Sequence, residues 1–353
     1  MSEPPSTVSH AREPREAAPP GPAAPGPKPL AITMGDAAGI GPEIVLRALA
    51  DPELPAPAVV IGDASWRAAL AARLCLPLAI RPIADPQELP AIDAGEVPVL
   101  EACRVPPDLR LGRIDARAGR AAADCIELAI ALALERRIDA IVTAPIHKEA
   151  LAAAGLPFPG HTEMLAALAG VDQVRMMLVN DELRTILVSI HVSLADAIRA
   201  VTRERVLETI RIADAALRRA GVARPRIAVA GLNPHAGEGG MFGREEIDAI
   251  APAVADARGQ GIDATGPWPG DTVFMRARGF SEFDLVVAQY HDQGLIPIKY
   301  LGLERGVNVT VGLPFVRTSV DHGTAFDIAG KGIAEHRSLL AACRAARQLA
   351  GNR

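Results

Sequence analysis

Residues 30–43 read Leu-Ala-Ile-Thr-Met-Gly-Asp-Ala-Ala-Gly-Ile-Gly-Pro-Glu, and this stretch decides the fold class. An apolar run, Leu30–Met34, ends in Gly35-Asp36, passes through Gly39 and Gly41, and leads into a segment with Pro42 suited to the first turn of a helix. That is strand, glycine turn, helix. The same alternation recurs where Ala58–Ile61 precedes a helix near Ser65. It recurs again where Ala118, Ala122, Cys125, Ile126, Ala129 and Ala133 run at helical spacing up to Ala140–Val142. Short buried runs alternating with helical periodicity predict an α/β fold. Met176–Val179 and Leu183–Ile190 flank the polar turn Asn180-Asp181-Glu182, a hairpin signal, so the sheet is expected to be mixed. Further units are expected at Arg226–Gly231, Asp284–Ala288 and Val307–Val311, with a closing helix near Ser338–Ala350.

The 353 residues, 49% of them hydrophobic, suffice for a sizeable core and suggest two domains with a cleft between them. With 37 basic and 42 acidic residues the net charge is -5, which opposes contact with a phosphate polymer, so no nucleic-acid partner is expected. Charges interrupt the most apolar segments, as Asp124 and Glu127 do before Leu134, and no run approaches the ~20 residues of a membrane helix. The four cysteines, Cys75, Cys103, Cys125 and Cys343, are too far apart for a zinc knuckle and sit in aliphatic stretches. They read as reduced and buried, hence a cytoplasmic protein. Residues 1–29 hold nine prolines and no apolar core of a signal peptide, and are expected to be a disordered leader.

Three of the eight histidines share one setting: His191, His235 and His291 each follow the carboxyl end of an apolar run. Ligands of open α/β sheets sit outside those ends, so three imidazoles delivered there could converge on one metal ion. Three unrelated histidines satisfying loop backbone is the plainer alternative. Around His235 the chain reads Asn233-Pro234-His235-Ala236-Gly237-Glu238-Gly239-Gly240, where glycines allow backbone to approach a ligand closely. Asp292 could orient the imidazole of His291 or cap a helix.

Lys299, Asn308 and Arg317 lie in mainly apolar surroundings, where a bound phosphate or carboxylate would partner the charges; for Lys299 the alternative is a stem reaching solvent. Gly160-His161-Thr162-Glu163 opens a helix whose free N–H groups favour an anion, unless Thr162 is simply its cap. The Gly35–Gly41 turn lacks the G-x-G-x-x-G order of a dinucleotide fingerprint.

Taken in order, Thr33–Asp36 with Gly39–Glu43, Gly160–Glu163, Leu232–Gly240, Tyr290–Gly294 and Arg317–Gly330 resemble the 4-hydroxythreonine-4-phosphate dehydrogenase family of vitamin B6 synthesis. The resemblance covers everything after the leader. It implies a two-lobed fold like that of isocitrate and isopropylmalate dehydrogenases, with mixed sheets and an inter-domain active-site cleft. Residues 30–150 with 292–353 would form one α/β domain, and 151–291 a second carrying much of the metal site and dimer interface. It further implies a homodimer whose active site is completed by the partner subunit. A divalent ion (zinc, magnesium or cobalt) would be held by His191, His235 and His291, and the substrate by His161, Thr162, Lys299, Asn308 and Arg317. The segment His322–Gly332 resembles the loop that isopropylmalate dehydrogenases set against the adenosine half of NAD, so His322, Gly323 and Asp327 are expected at NAD or NADP; a loop kept for packing is the alternative.

The implied reaction is oxidation of 4-hydroxy-L-threonine 4-phosphate with decarboxylation to 3-amino-2-oxopropyl phosphate. Ala37, Ser189-Ile190, Trp268 and Gly270 depart from the usual family residues around the cleft. They leave open 4-phospho-D-threonate, 4-phospho-D-erythronate or a cyclic dihydrodiol carboxylate as substrate. Asp271, Asp292 and Lys148 are candidates for the general base by charge and position, and the sequence does not rank them. A phosphate acyltransferase of the same architecture and a catalytically silent binding protein are the rivals from other classes.

Overall fold

The apolar runs become strands, and the computed structural model gathers twelve of them into one sheet. It describes residues 26–93, 95–302 and 305–351, so residues 1–25 of the proline-rich leader lie outside the described residues. In chain order the strands are β1 (Leu30–Thr33), β2 (Ala58–Gly62), β3 (Ala79–Ile83), β4 (Glu96–Glu101), β5 (Ala140–Thr143) and β6 (Arg175–Val179). The remainder are β7 (Arg184–Leu187), β8 (Ile227–Ala230), β9 (Ala264–Trp268), β10 (Leu285–Ala288), β11 (Val307–Val311) and β12 (Val316–Ser319). They lie side by side as β3-β4-β2-β1-β5-β12-β11-β6-β7-β10-β8-β9. Three successive pairings in the middle, β12 with β11, β11 with β6 and β6 with β7, are antiparallel, and the others are parallel.

The mixed α/β sheet is therefore as expected, and so is the β6–β7 hairpin. Asn180 Oδ1 closes its turn, accepting the N–H groups of Glu182 at 2.9 Å and Leu183 at 2.7 Å. The sequence pattern missed four strands, β3, β4, β9 and β12. β3 is largely exposed, β9 contains Gly266 and Pro267, and β12 (Val-Arg-Thr-Ser) carries too little apolar signal to register.

The two faces of the sheet differ. On one, Leu30, Val142, Val229, Val287, Val307, Val309 and Val316 pack with helices Gly41–Leu49, Arg203–Arg219, Ala251–Gly259 and Arg337–Ala350 in one hydrophobic cluster. On the other the apolar material is split. Ala31, Ile61 and Ile141 pack under helices Ala116–Leu134 and His161–Ala169, whereas Leu178, Leu187 and Ala288 pack under Val273–Ala277 and His291–Tyr300. Between these clusters β11 and β12 turn Asn308, Thr310, Arg317 and Ser319 to the same face, because successive residues of a strand point to opposite sides. A polar gap at the centre of the sheet results.

Two expectations need correcting. Residues 28 and 29, assigned to the leader, are tied to the body: Pro29 O accepts Asp139 N–H at 3.1 Å and Lys28 O accepts Arg347 Nη1 at 2.9 Å, extending the backbone of β1. Nor are all the cysteines buried. All four are free, but Cys75 is exposed, in a left-handed turn (φ 53°) after helix Ala64–Arg73, and Cys103 is half-buried. No helix among the described residues is long and apolar enough to cross a membrane.

Helices Ala116–Leu134 and Lys148–Ala153 meet at Gly119, where a Cβ would stand 2.1 Å from Ala150 O. In an open helix Gly→Ala gains up to ~1 kcal/mol, but overfilling a tight contact costs about 1–3 kcal/mol. Gly119→Ala is expected to lower the unfolding free energy in urea, and a more stable variant would disprove the contact.

Candidate active site

The polar gap is organised around Arg317 of β12, only 3% exposed. Its Nη1 donates to Thr310 Oγ1 of β11 at 2.9 Å and its Nη2 to Thr143 Oγ1 of β5 at 2.7 Å, while Nε has no partner. Burial pulls the guanidinium down to about 10, with the Glu163 carboxylate acting the other way. Two neutral hydroxyls solvate this cation without neutralising it, and Asn308 Oδ1 is a further buried atom with no partner.

His161 opens helix His161–Ala169, anchored by the buried Met164 and Leu165. Its Nε2 is buried without a partner, and burial, aided by the Arg317 charge, holds the imidazole well below its usual range, so it is neutral. Thr162 does not cap this helix: the cap position is Gly160 and no side chain fills it, which leaves the first N–H groups free. The alkyl stem of Lys148 lies beside Gly160, Cε being 3.7 Å from the position a Cβ would take there. Lys299 does not wait for a ligand as a partnerless cation, because its Nζ pairs with Asp321 Oδ2 at 2.7 Å, just beyond β12.

The sheet order explains the histidines. β7, β10 and β8 are adjacent parallel strands, and their carboxyl ends lead to His191, His291 and His235 respectively. His191 and His291 face each other with ring centroids 5.8 Å apart, and Ser189 Oγ donating to Gln289 O at 2.9 Å ties the two loops together. Nδ1 of His291 is hydrogen-bonded to Asp292 Oδ1 at 2.7 Å, so Asp292 orients the imidazole; the helix cap is Tyr290. His235 is held likewise, Nδ1 to Glu238 Oε2 at 3.1 Å. In both rings this leaves Nε2 for a ligand, the pattern usual for metal-bound histidine. Among the described residues, however, no three His, Cys, Asp or Glu side chains are gathered closely enough to hold an ion within one subunit. His235, Asp271 and Asp292 line one cavity with Asn233 and Gln293.

The His235 loop is strained. His235, Ala236, Gly237, Glu238 and Gly239 are all left-handed, at a cost of ~1–2 kcal/mol for each residue other than glycine. Glu246, 3% exposed, offsets this: Oε1 accepts the N–H groups of Leu232 and Asn233, both at 2.7 Å, and Oε2 accepts Asn233 Nδ2 at 2.9 Å. A Cβ on Gly237 would stand 2.7 Å from Glu246 Oε2, so that glycine is required. Sequence reasoning missed Glu246, which is one acid in the charged run Arg244-Glu245-Glu246-Ile247-Asp248 and has no distinguishing signal there.

Residues 53–346 match the family described as pyridoxal phosphate biosynthetic protein PdxA. The chain belongs to that family. A 4-hydroxythreonine-4-phosphate dehydrogenase of Beijerinckia indica is 57% identical over 311 residues, 88% of this chain and 92% of that one. A D-threonate 4-phosphate dehydrogenase of Cupriavidus necator is 53% identical over 328 residues, 92% of this chain and 98% of that one. The crystal structure of a 4-hydroxythreonine-4-phosphate dehydrogenase from Klebsiella pneumoniae superposes with a TM-score of 0.87 at 47% identity, over 92% of this chain and 98% of that one. This PdxA-family chain is thus an oxidoreductase, and the acyltransferase and silent-binder alternatives fall away.

In the PdxA-family chain the segment expected at the cofactor lies against the Gly35–Gly41 turn. Ile40 N–H donates to Thr324 O at 2.9 Å, a Cβ on Gly39 would meet Thr324 at 2.9 Å, and Phe326 stacks on His147 at 4.7 Å. Glu43 Oε1 accepts Ala334 N–H at 2.9 Å and fixes the far end. His322, Gly323 and Asp327 are exposed above this anchorage, with open space beside Gly323. Beneath it sit two more buried atoms without partners, Asp36 Oδ2 and His147 Nδ1. Burial raises the Asp36 carboxyl from 3.8 to about 6, partly offset by the Ala38 N–H donating to Oδ1 at 2.8 Å.

That shift carries a sign. The fold favours protonated Asp36, so below about pH 4 the group has no effect on stability. Between about pH 4 and 6 stability falls as pH rises, and above that the penalty is full, about 3 kcal/mol. Asp36→Asn should remove this dependence: the stability of variant minus parent, from urea unfolding, should grow through that interval and then level off. A pH-independent difference would contradict the assignment.

Proposed function

We propose that this enzyme oxidises the secondary alcohol of 4-hydroxy-L-threonine 4-phosphate and releases carbon dioxide, giving 3-amino-2-oxopropyl phosphate, with NAD or NADP as oxidant and a divalent ion in the site. The observation that carries this reading is the buried cluster of Arg317 Nε, His161 Nε2 and Asn308 Oδ1, polar atoms left without partners inside the sheet. A phosphorylated hydroxy amino acid would partner them, an oxyanion accepting from Arg317 Nε and a hydroxyl or ammonium donating to Asn308 Oδ1.

In this reading Arg317, fixed by Thr143 and Thr310, binds an oxyanion of the substrate, and the free N–H groups of helix His161–Ala169 face it. Neutral His161 exchanges a hydrogen bond with the substrate without adding charge. Lys299, oriented by Asp321, and Asn308 complete the polar wall. His191, His235 and His291 fit a divalent ion in donor chemistry, since Nε2 of at least two of them is left free. His322, Gly323 and Asp327 are the residues we assign to the dinucleotide. When bound, the nicotinamide supplies the hydride acceptor and the ion a Lewis acid. Asp271 and Asp292, on the wall of the His235 cavity, and Lys148, beside Gly160, remain the candidates for moving the hydroxyl proton.

A homodimer fits the same surface. Val192, Leu194, Met241, Phe242, Ile296 and Tyr300, neighbours in sequence of the three histidines, are 49–90% exposed. Apolar side chains left bare beside a site call for a partner, and a second subunit would also supply donors that one subunit does not gather. The second reading is 4-phospho-D-threonate, favoured by the relatives named for D-threonate 4-phosphate. In it a hydroxyl replaces the amine, and the same chemistry yields dihydroxyacetone phosphate.

A panel of 4-hydroxy-L-threonine 4-phosphate, 4-phospho-D-threonate, 4-phospho-D-erythronate and their dephosphorylated forms, followed by NADH formation and product analysis, separates the readings. Failure of all three phosphorylated acids would refute both. Arg317→Lys should lower kcat/KM for the preferred substrate roughly ten- to a hundredfold (about 1.5–3 kcal/mol), since an ammonium cannot hold two oxygens at once. An equal loss with the dephosphorylated form would move Arg317 from the phosphate to the carboxylate. His235→Ala is expected to strip the bound ion from a folded protein, and full occupancy by elemental analysis would remove His235 from the ligand set.

A further inference from the structure

Away from the site, three side chains form a cluster that the dehydrogenase reading does not use. Cys103 follows β4, outside any helix or strand, and its Sγ lies 3.8 Å from Sγ of Cys125, in the middle of helix Ala116–Leu134. Cys125 is fully buried and Cys103 half-buried, so solvent reaches the pair from the Cys103 side. Arg67 of helix Ala64–Arg73 is also fully buried, and none of its three guanidinium nitrogens has a hydrogen-bond partner. The titratable groups within its field are Cys125, Cys103 and Asp63. Asp63 is already occupied, accepting Trp66 N–H at 3.0 Å and Val105 N–H at 2.8 Å. A buried cation without hydrogen bonds favours whichever neighbour becomes an anion. The hydrogen bond to Cys103, then burial, raises the Cys125 thiol well above its usual range, and Cys103 is the sulfur of the pair that solvent reaches.

We propose that Cys103 and Cys125 are an oxidisable dithiol, a modification site for peroxides in which Cys103 is attacked first, Cys125 closes the disulfide, and Arg67 favours the Cys103 thiolate. In the first step the Cys103 thiolate displaces hydroxide from hydrogen peroxide; the O–O bond breaks, the sulfur is oxidised to a sulfenic acid, and the hydroxide takes up a proton as water. In the second, Cys125 gives up its proton and its sulfur displaces hydroxide from the Cys103 sulfur, releasing a second water. Two thiols and one peroxide become one disulfide and two waters. The sulfurs must close from 3.8 Å to about 2.0 Å, and the loop position of Cys103 supplies that movement. The bond would tie the chain after β4 to the helix that packs against both Lys148–Ala153 and His161–Ala169.

The test treats the reduced full-length protein with hydrogen peroxide, alkylates it under denaturing conditions and maps the peptides without reduction. We expect a Cys103–Cys125 cross-linked peptide, a fall from four titratable thiols to two, alkylated Cys75 and Cys343, and reversal by dithiothreitol. Cys125→Ser should instead accumulate Cys103 sulfenic acid, trapped by dimedone, and Arg67→Met should slow Cys103 oxidation about tenfold. Exposed Cys75 is the internal reference. If Cys103 oxidises no faster than Cys75, or oxidises without forming the cross-link, the proposal is overturned. An unchanged rate in a folded Arg67→Met protein would overturn the role given to Arg67.

Discussion

A guanidinium buried in the middle of a twelve-stranded sheet is the constraint on which the rest depends. Arg317 stands where an aliphatic residue would let the two hydrophobic clusters of that face merge. Its charge keeps them apart, and the gap is the candidate site. Thr143 and Thr310 reach it from the strands on either side of β12, so the three central strands are fixed in register by the same contacts that orient the cation. Hydroxyls reduce the cost of burial without cancelling the charge, and we propose that an oxyanion of the substrate supplies the counter-charge.

The His235 loop carries a different kind of cost. A run of left-handed backbone at His235 is unfavourable in isolation and persists because Glu246, buried beneath it, accepts hydrogen bonds from the loop's own N–H groups and amide. Strain held in place this way keeps an exposed imidazole aimed while its backbone stays rigid. The two ends of the candidate site are thus supported by different devices: a buried, unneutralised charge at Arg317 and a strained backbone braced by Glu246 at His235.

Between these ends the loop after β12 acts as a bridge. Asp321 at its start pairs with Lys299, Thr324 and Phe326 dock on the Gly35 turn and on His147, and Glu43 fixes its far end. Residues proposed for the dinucleotide are therefore connected through a few bonds to those proposed for the substrate. Asp36, a carboxyl that burial raises to about 6, sits under this junction.

Much of this was legible in the chain itself. The apolar runs, the 3.6-residue periodicity and the Asn180 turn fixed the α/β class and the mixed sheet, because these are local patterns of burial and hydrogen bonding. The order of short motifs from Gly35 to Gly330 fixed the family, and the strand-end setting singled out His191, His235 and His291. The chain alone did not show β12, since Val-Arg-Thr-Ser has no apolar alternation, nor that Lys299 already has a carboxylate partner. Nor did it show the roles of Thr143, His147 and Glu246, whose partners are distant in sequence or lie in strained backbone. Local propensity depends on neighbours along the chain, whereas the desolvation of a charge depends on neighbours across the fold. Only the tertiary structure could decide which polar groups are buried and left without partners.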